Sequence, residues 1–322
     1  MRQTLEACTI ERGMNMDLYF GDIPICYSHS VAMTLHSYGY DFRPEYLEAI
    51  MVMGNGASVV KNDAKHPLVF FDNGMPDRSI SHTLRILGFE YEAFFCDSAE
   101  SINVKAAQEQ LGTYLKNGPV IVGPLDMGYL TYNPNHEYLK GVDHFVCVFG
   151  MDYDAVYLHD PAGYPCMKMS IHEFLKAWLA ENIDYKRGVF SMWGNIKRRK
   201  IPSAEEIYHD VSLIMKKRYE HSEIKVIEDY AKAIKNYGLN QEQKQLHQFF
   251  SFRLASVRNI YMSQFLQKHD QKKAELKEKL AFLFGQAHLD CLKDDFIALA
   301  DTLMAISELD NQFKERCIQY NK

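Results

Sequence analysis

Residues 143–161, DHFVCVFGMDYDAVYLHDP, hold two apolar runs separated by the polar triplet Asp152-Tyr153-Asp154. Short apolar runs rich in Val and Phe, broken by Asp-rich text, read as two strands joined by a turn. The predicted strands are 144–150 and 155–160. A turn centred on residue 152 sets Val148 opposite Val156, Val146 opposite Leu158 and His144 opposite Asp160. An imidazole and a carboxylate then meet at the open end of a hairpin whose other pairs are apolar. Both strands are apolar on both faces, since Phe145, Cys147 and Phe149 alternate with the valines. The hairpin therefore belongs in the middle of a sheet. A carboxylate beside a histidine orients the ring and stabilises its protonated form.

Such a pair needs a nucleophile, and Cys26 is placed to supply one. In GDIPICYSHSVAMTLHSYGY, residues 21–40, Gly21, Asp22 and Pro24 give an irregular approach. A helix then starts at or just after Cys26 and runs through Val31, Ala32, Leu35 and Tyr38 to a stop at Gly39. Unpaired N–H groups and the dipole at a helix start stabilise a thiolate, bringing a cysteine from about 8.5 into roughly the 3.5–7.5 range. The same N–H groups can hold a developing oxyanion. The other cysteines, Cys8, Cys96, Cys147, Cys166, Cys291 and Cys317, are scattered and form no C-x-x-C pair, so they read as free thiols rather than zinc ligands. A cysteine at a helix start, a histidine opening a strand or an Asp-Pro turn is each unremarkable alone. Their order Cys26, His144, Asp160 is what points to a catalytic triad.

Around this core the chain changes character near residue 200. All ten prolines, both tryptophans and sixteen of the eighteen glycines lie at or before Pro202. Residues 1–202 read as α+β with a central antiparallel sheet: helices at 26–39, 44–53 and 171–180, and strands at 68–71, 91–95 and 120–122 besides the hairpin. Residues 203–322 read as all helix, a helical domain or cap. Ser203 with Glu206 makes a capping box, Ser222 opens a second helix ended by Gly238, Asn240 opens a third, Asp270 caps a fourth, and Phe296, Leu299, Leu303, Ile306 and Leu309 form a last seam. That half carries 18 basic and 18 acidic residues, so the net charge of -6 belongs to residues 1–202. The acidic balance argues against wholesale binding to nucleic acid or an anionic membrane. No apolar run approaches the roughly 18 residues that cross a bilayer, and the N-terminal stretch lacks a signal-peptide core, so a cytoplasmic chain is expected. No cofactor or metal is expected. Apolar seams of this length leave room for a homodimer through the helical region.

The pattern resembles papain-like cysteine enzymes of the C39-peptidase type, and in finer detail the family of the butirosin biosynthesis protein H. Four stretches carry the resemblance: CYSHSVAMTLHSYGY, EAIMVMGNGAS, GPVIVGPLDMGYLTYNP and GVDHFVCVFGMDYDAVYLHDP, spread over about residues 20–180. The resemblance implies acyl transfer from an acyl carrier protein to an amine of an aminoglycoside such as ribostamycin. The group transferred would be a γ-glutamylated 4-amino-2-hydroxybutyryl unit. Cys26 would attack the carrier's phosphopantetheine thioester, His144 would shuttle protons, and Asp160 would orient His144. One departure stands out. Papain-like enzymes commonly carry a glutamine about six residues before the cysteine as an oxyanion donor; here that position is Phe20. A polycationic acceptor wants carboxylates, for which Asp22, Asp126 and Asp143 are candidates, while Tyr129 and Tyr132 are candidates to line its pocket. Each also reads plainly as a surface acid or a loop tyrosine. Two other classes stay open: a C39-like cysteine peptidase or amidase, and a non-catalytic module of the same fold.

Overall fold

The structure is a computed structural model and describes residues 24–97, 103–184, 186–223 and 225–320. Helix α1 (Cys26–Ser37) leads into α2 (Pro44–Ile50), and a ribbon of β1 (Ser58–Lys61) and β2 (Leu68–Phe70) follows. Next come α3 (Pro76–Ile86), β3 (Phe89–Cys96), α4 (Val104–Leu115) and β4 (Val120–Asp126). The hairpin β5 (Asp143–Met151) and β6 (Ala155–Asp160) is continued by β7 (Tyr164–Ser170), α5 (Ile171–Leu179) and β8 (Val189–Arg198). Local chemistry explains several starts. Pro44 and Pro76 occupy first helical positions, where the missing N–H costs nothing. Ser170 caps α5 by accepting from the Glu173 N–H.

The main sheet is antiparallel in the order β3-β8-β4-β5-β6-β7. This is the papain-like α+β arrangement, and the hairpin lies inside it as expected. Its register differs from the expected one. Val148 pairs with Leu158 and Cys147 with His159, while Met151 pairs with Val156. The turn is tied by the Asp152 carboxylate, which accepts from the Asp154 and Ala155 N–H groups. That places the turn beyond residue 152, and a bulge at Phe149 takes up the odd residue. The net displacement beside the site is two residues. Side chains alternate with a period of two, so His144 and Asp160 keep the same face and become diagonal neighbours.

Two packed layers cover the sheet. On one face α4 and α5 bury Leu111, Trp178 and Phe174 against Val122, Val146 and Leu158. On the other, α1, α2 and α3 bury Val31, Leu35, Ile50 and Ile80 against Ile121, Phe145 and Trp193. Each such side chain contributes about 1.5–3 kcal/mol when removed from water.

The second core continues without interruption into the last third of the chain. There α6 (Ala204–Glu220), α7 (Val226–Tyr237), α8 (Gln241–Leu246), α9 (Phe252–Leu266), α10 (Gln271–Leu292) and α11 (Phe296–Ile318) pack together. Val211, Leu254, Met262 and Phe313 share a cluster with Val31 and Phe145. The composition change at Pro202 thus marks a change of secondary structure, across which one core runs. The capping boxes at Ser203/Glu206 and Asn240/Gln243 are both present. Two details differ from the helical periodicity. Helix α7 begins at Val226 rather than Ser222, entered through Lys225 in the left-handed region. A π-helical turn at His247–Ser251 separates α8 from α9 and leaves Phe249 exposed rather than seated on the apolar face. No helix among the described residues is long and apolar enough to cross a membrane.

Candidate active site

Cys26 is the first residue of α1, directly after the N-cap Ile25, and is half-buried. His144 is the second residue of β5 and Asp160 closes β6, both buried. The structure brings these three together. His144 Nε2 lies 2.6 Å from Asp160 Oδ1. The imidazole is close enough to the Cys26 sulfur for each to shift the other's titration, and with Nε2 committed to the carboxylate, Nδ1 is the ring atom left for sulfur. The Phe145 N–H acts on the sulfur as well.

Asp160 is itself held by three donors. Besides His144, the Ala162 N–H reaches Oδ1 at 2.6 Å and the Tyr132 hydroxyl donates to Oδ2 at 2.8 Å. Burial alone would raise this carboxyl, but the hydrogen bond and charge of His144 win and hold it below the usual carboxylate range. Burial likewise works against a charged His144. The Cys26 sulfur and Asp160 outweigh it and push the imidazole up to about 10. For Cys26 burial outweighs the imidazolium and the Phe145 N–H and pushes the thiol up, against the lowering that its place at a helix start predicts. Other buried thiols lack that opposition. Cys147 and Cys291 are pushed up to about 11 and Cys317 to about 12, chiefly by burial, and no imidazole counters the rise. Cys26 is thus singled out among the described cysteines by the ring that shares its proton.

The remaining sequence-predicted residues fall in different places. Tyr132 does not line an acceptor pocket through its hydroxyl, which is committed to Asp160; its ring packs 5.5 Å from Tyr164. Asp126 is fully buried, and its carboxylate accepts from the Gly128 and Gly141 N–H groups at 2.9 Å and from Asn182 Nδ2 at 2.7 Å. Those bonds pin both ends of the loop between β4 and β5, so Asp126 anchors the loop and is not offered to a ligand. Tyr129 sits half-buried on that loop against the Trp178 cluster. Asp143 is the first residue of β5, beside His144. It shares a small recess with Pro76, Asp77, Pro124, Phe145 and Lys186, and its charge reaches Cys26. Asp22 and Phe20 lie outside the described residues.

One part of the site was not foreseen. Helix α9 drives Arg258 into the ground behind α1. Its Nε lies 2.7 Å from Glu48 Oε1 and its Nη1 3.0 Å from Asp72 Oδ2, all three side chains being buried. Glu48 in turn accepts from the Tyr27 hydroxyl at 3.3 Å and from Ser28 Oγ, the two residues that follow Cys26. The Arg258 charge also reaches the Cys26 sulfur. Gly54, at φ +73°, lets the arginine pass: a Cβ there would lie 2.5 Å from Arg258 Cβ. A second arginine, Arg218 of α6, donates to the Met51 and Val52 carbonyls and to Ser79 Oγ. The sequence signal was a lone arginine in an apolar helical run, LASVRNIYM, and the second of two glutamates in EYLEAI, set between Leu47 and Ala49. Buried charges of this kind are kept only when paired.

Comparison with known proteins adds a family context. A model of the Peptidase_C39 like family matches residues 15–185, and a model of the YobF C-terminal domain matches residues 221–317. The chain is also similar to YobF of Bacillus subtilis (strain 168), described as an uncharacterized protein. The two are 33% identical over 310 residues, covering 93% of this chain and 97% of that one. The first match spans α1 and the sheet through α5, including Cys26, His144 and Asp160. The second begins after α6, whose last turn carries Arg218, and includes Arg258.

Proposed function

We propose, on the premise that the chain belongs to the Peptidase_C39 like family, that it is a cysteine acyltransferase working through a thioester on Cys26. The observation that carries the reading is the buried chain Tyr132–Asp160–His144 ending on a thiol at a helix start. In the first half-reaction the Cys26 sulfur attacks the carbonyl carbon of a thioester donor, its proton having passed to His144. The tetrahedral oxyanion collapses, the carbon–sulfur bond to the donor breaks, and His144 returns the proton to the leaving thiolate. In the second, an amine attacks the Cys26 thioester and gives its proton to His144. Collapse then forms the amide and releases the Cys26 thiolate beside the imidazolium. Asp160 keeps the ring in the tautomer and orientation both halves need, and Tyr132 keeps Asp160 ionised and in place. Thioester-to-thioester exchange is nearly thermoneutral and asks less of an oxyanion hole than amide cleavage does. The resemblance to the butirosin protein H family supplies the finer reading: an acyl-carrier phosphopantetheine thioester as donor, a γ-glutamylated 4-amino-2-hydroxybutyryl unit as the group moved, and an aminoglycoside amine as acceptor. Asp143, whose charge reaches Cys26, is the candidate carboxylate for that cationic acceptor.

A second reading, a peptidase or amidase, is favoured by the peptidase character of the matched family. The two separate in one assay. The protein is loaded with an acyl-pantetheine thioester, freed of donor, and the Cys26 adduct is followed by intact mass in buffer and in buffer with an aminoglycoside. Amine-dependent discharge with an acylated aminoglycoside as product is expected for the transferase. Discharge at one rate in both, with free acid as product, would assign the hydrolase instead.

A further inference from the structure

Along β3, the outer strand of the sheet, lies a cavity of about 440 Å³ lined by Ser81 and Arg85 of α3, Phe89, Glu90, Tyr91, Ala93 and Phe95 of β3, and Arg187 ahead of β8. Arg187 is unusual in its bonding. Its guanidinium lies flat on Phe95, with Cζ 3.9 Å from the ring centroid, and 5.2 Å from that of Trp193. Its Nε and Nη2 are buried yet have no hydrogen-bond partner among the described residues, and the same holds for the hydroxyl of Tyr91. Phenol and guanidinium face one another closely enough for their charges to interact. Arg85 adds a second guanidinium over the Tyr91 ring, 5.6 Å from its centroid.

Among the acids near the cavity, Glu90 is paired with Arg199 at 2.7 Å. Asp77 attracts Arg187 while Arg78 and Arg85 repel it, and both Asp77 oxygens already accept main-chain N–H groups, from Arg78 and from Arg187. Buried guanidinium N–H groups left without an acceptor are costly, and protein sites retain them when a ligand supplies the acceptor.

We infer that this cavity is a subsite for an oxyanion, a carboxylate or phosphate group on an apolar stem. The guanidinium of Arg187 and the hydroxyl of Tyr91 supply the donors, Arg85 the second positive charge, and Phe89, Ala93 and Phe95 the apolar wall. The cavity is linked to the candidate active site through Asp77. The Arg187 N–H donates to Asp77 Oδ2 at 2.8 Å, and Asp77 also borders the recess of Asp143 and Phe145 beside His144. A ligand spanning from one to the other would place an anionic group in the cavity and a reacting carbonyl at Cys26. Taking that ligand to be the acyl donor rests on the reading proposed above. The anion is then the phosphate of a pantetheine arm or a carboxylate of the acyl group.

Binding of free ligands separates the possibilities without requiring catalysis. Inorganic phosphate, pantetheine 4′-phosphate, pantetheine and glutarate are titrated calorimetrically into the full chain, its Arg187→Met variant, and the gentler Tyr91→Phe and Arg85→Gln variants, which carry the test if Arg187→Met does not fold. Phosphopantetheine binding, absent for pantetheine and weakened about tenfold or more by the substitutions, supports the site and names phosphate as its ligand. Substitution-sensitive binding of glutarate alone supports it with a carboxylate. No binding of any oxyanion, or binding indifferent to the substitutions, overturns it. Loading of Cys26 from a phosphate-free thioester, run beside these titrations, reports on the acyltransferase reading separately: titrations that succeed while loading fails would sink that reading and leave the subsite standing.

Discussion

Replacing Asp160 by Asn tests the electrostatics on which the site depends. The rise of His144 from 6.5 to about 10 corresponds to roughly 5 kcal/mol in favour of the imidazolium. Burial opposes that rise, and the Cys26 sulfur and Asp160 together produce it. The Asp160 share is a charge-assisted hydrogen bond of 2.6 Å between buried partners, worth about 1.5–3 kcal/mol. The amide keeps the size of the side chain and the Tyr132 contact but removes the charge. His144 is therefore expected to titrate about 1–2 pH units lower, and the thiolate–imidazolium form of the pair to lose stability by the same amount. Two readouts apply. The imidazole is titrated by NMR on protein with labelled histidine, assigned against His144→Gln. The rate of Cys26 alkylation by iodoacetamide at pH 7 is read by intact mass and should fall by about tenfold or more. A His144 titration unchanged by Asp160→Asn, with unchanged alkylation, would refute the claim that this carboxylate sustains the charged pair.

Other outcomes follow from the same contacts. Tyr132→Phe removes one of the three donors to Asp160 and should slow Cys26 alkylation by about three- to tenfold, with the fold intact by circular dichroism. Arg258→Met leaves the buried Asp72 carboxylate without its ion-pair partner and the Glu48 carboxyl without a donor, so urea unfolding at pH 7 should show about 3–5 kcal/mol lost. A loss below 1 kcal/mol would mean that the helical region does not brace α1 through Glu48. Glu48 bears on pH dependence: burial raises its carboxyl from 4.5 to about 8. A raised folded-state value favours the folded chain fully below about pH 4.5, and that contribution is lost as pH rises through about 8. Stability of Glu48→Gln should therefore fall less between pH 5 and 9 than that of the unsubstituted chain, measured by urea midpoints. Asp126→Ala leaves three donors without an acceptor and should cost about 2–4 kcal/mol of stability. A change confined to the KM of an amine acceptor, with stability unaltered, would restore Asp126 as a substrate contact.

How much of this was legible beforehand depends on whether the controlling physics is local. Helix starts at Ser203, Asn240 and Asp270 are written in capping chemistry and the one at Cys26 in apolar spacing after an irregular approach, and the structure has all four. The meeting of His144 with Asp160 was legible through side-chain alternation, which survives a two-residue error in register. The register itself was not, because the Phe149 bulge depends on how Asp152 ties its turn. Strand β8 went unseen although it sits between β3 and β4. Its pattern is broken by Phe190 and Asn195 at positive φ and by Gly194, whose missing Cβ admits the Tyr114 ring. The buried roles of Asp126, Glu48 and Arg258 were also hidden. Residue type suggests a solvated charge in each case, and only the fold reveals that the charge has partners instead of water.

The most direct test of the account is the identity of the thiol that carries an acyl group. The chain is incubated with an acyl-pantetheine thioester without acceptor, digested under acid conditions, and mapped by mass spectrometry. One acyl adduct on the peptide containing Cys26 is predicted, absent from Cys26→Ser and strongly reduced in His144→Ala. No adduct, or an adduct confined to the exposed Cys166, would contradict the account.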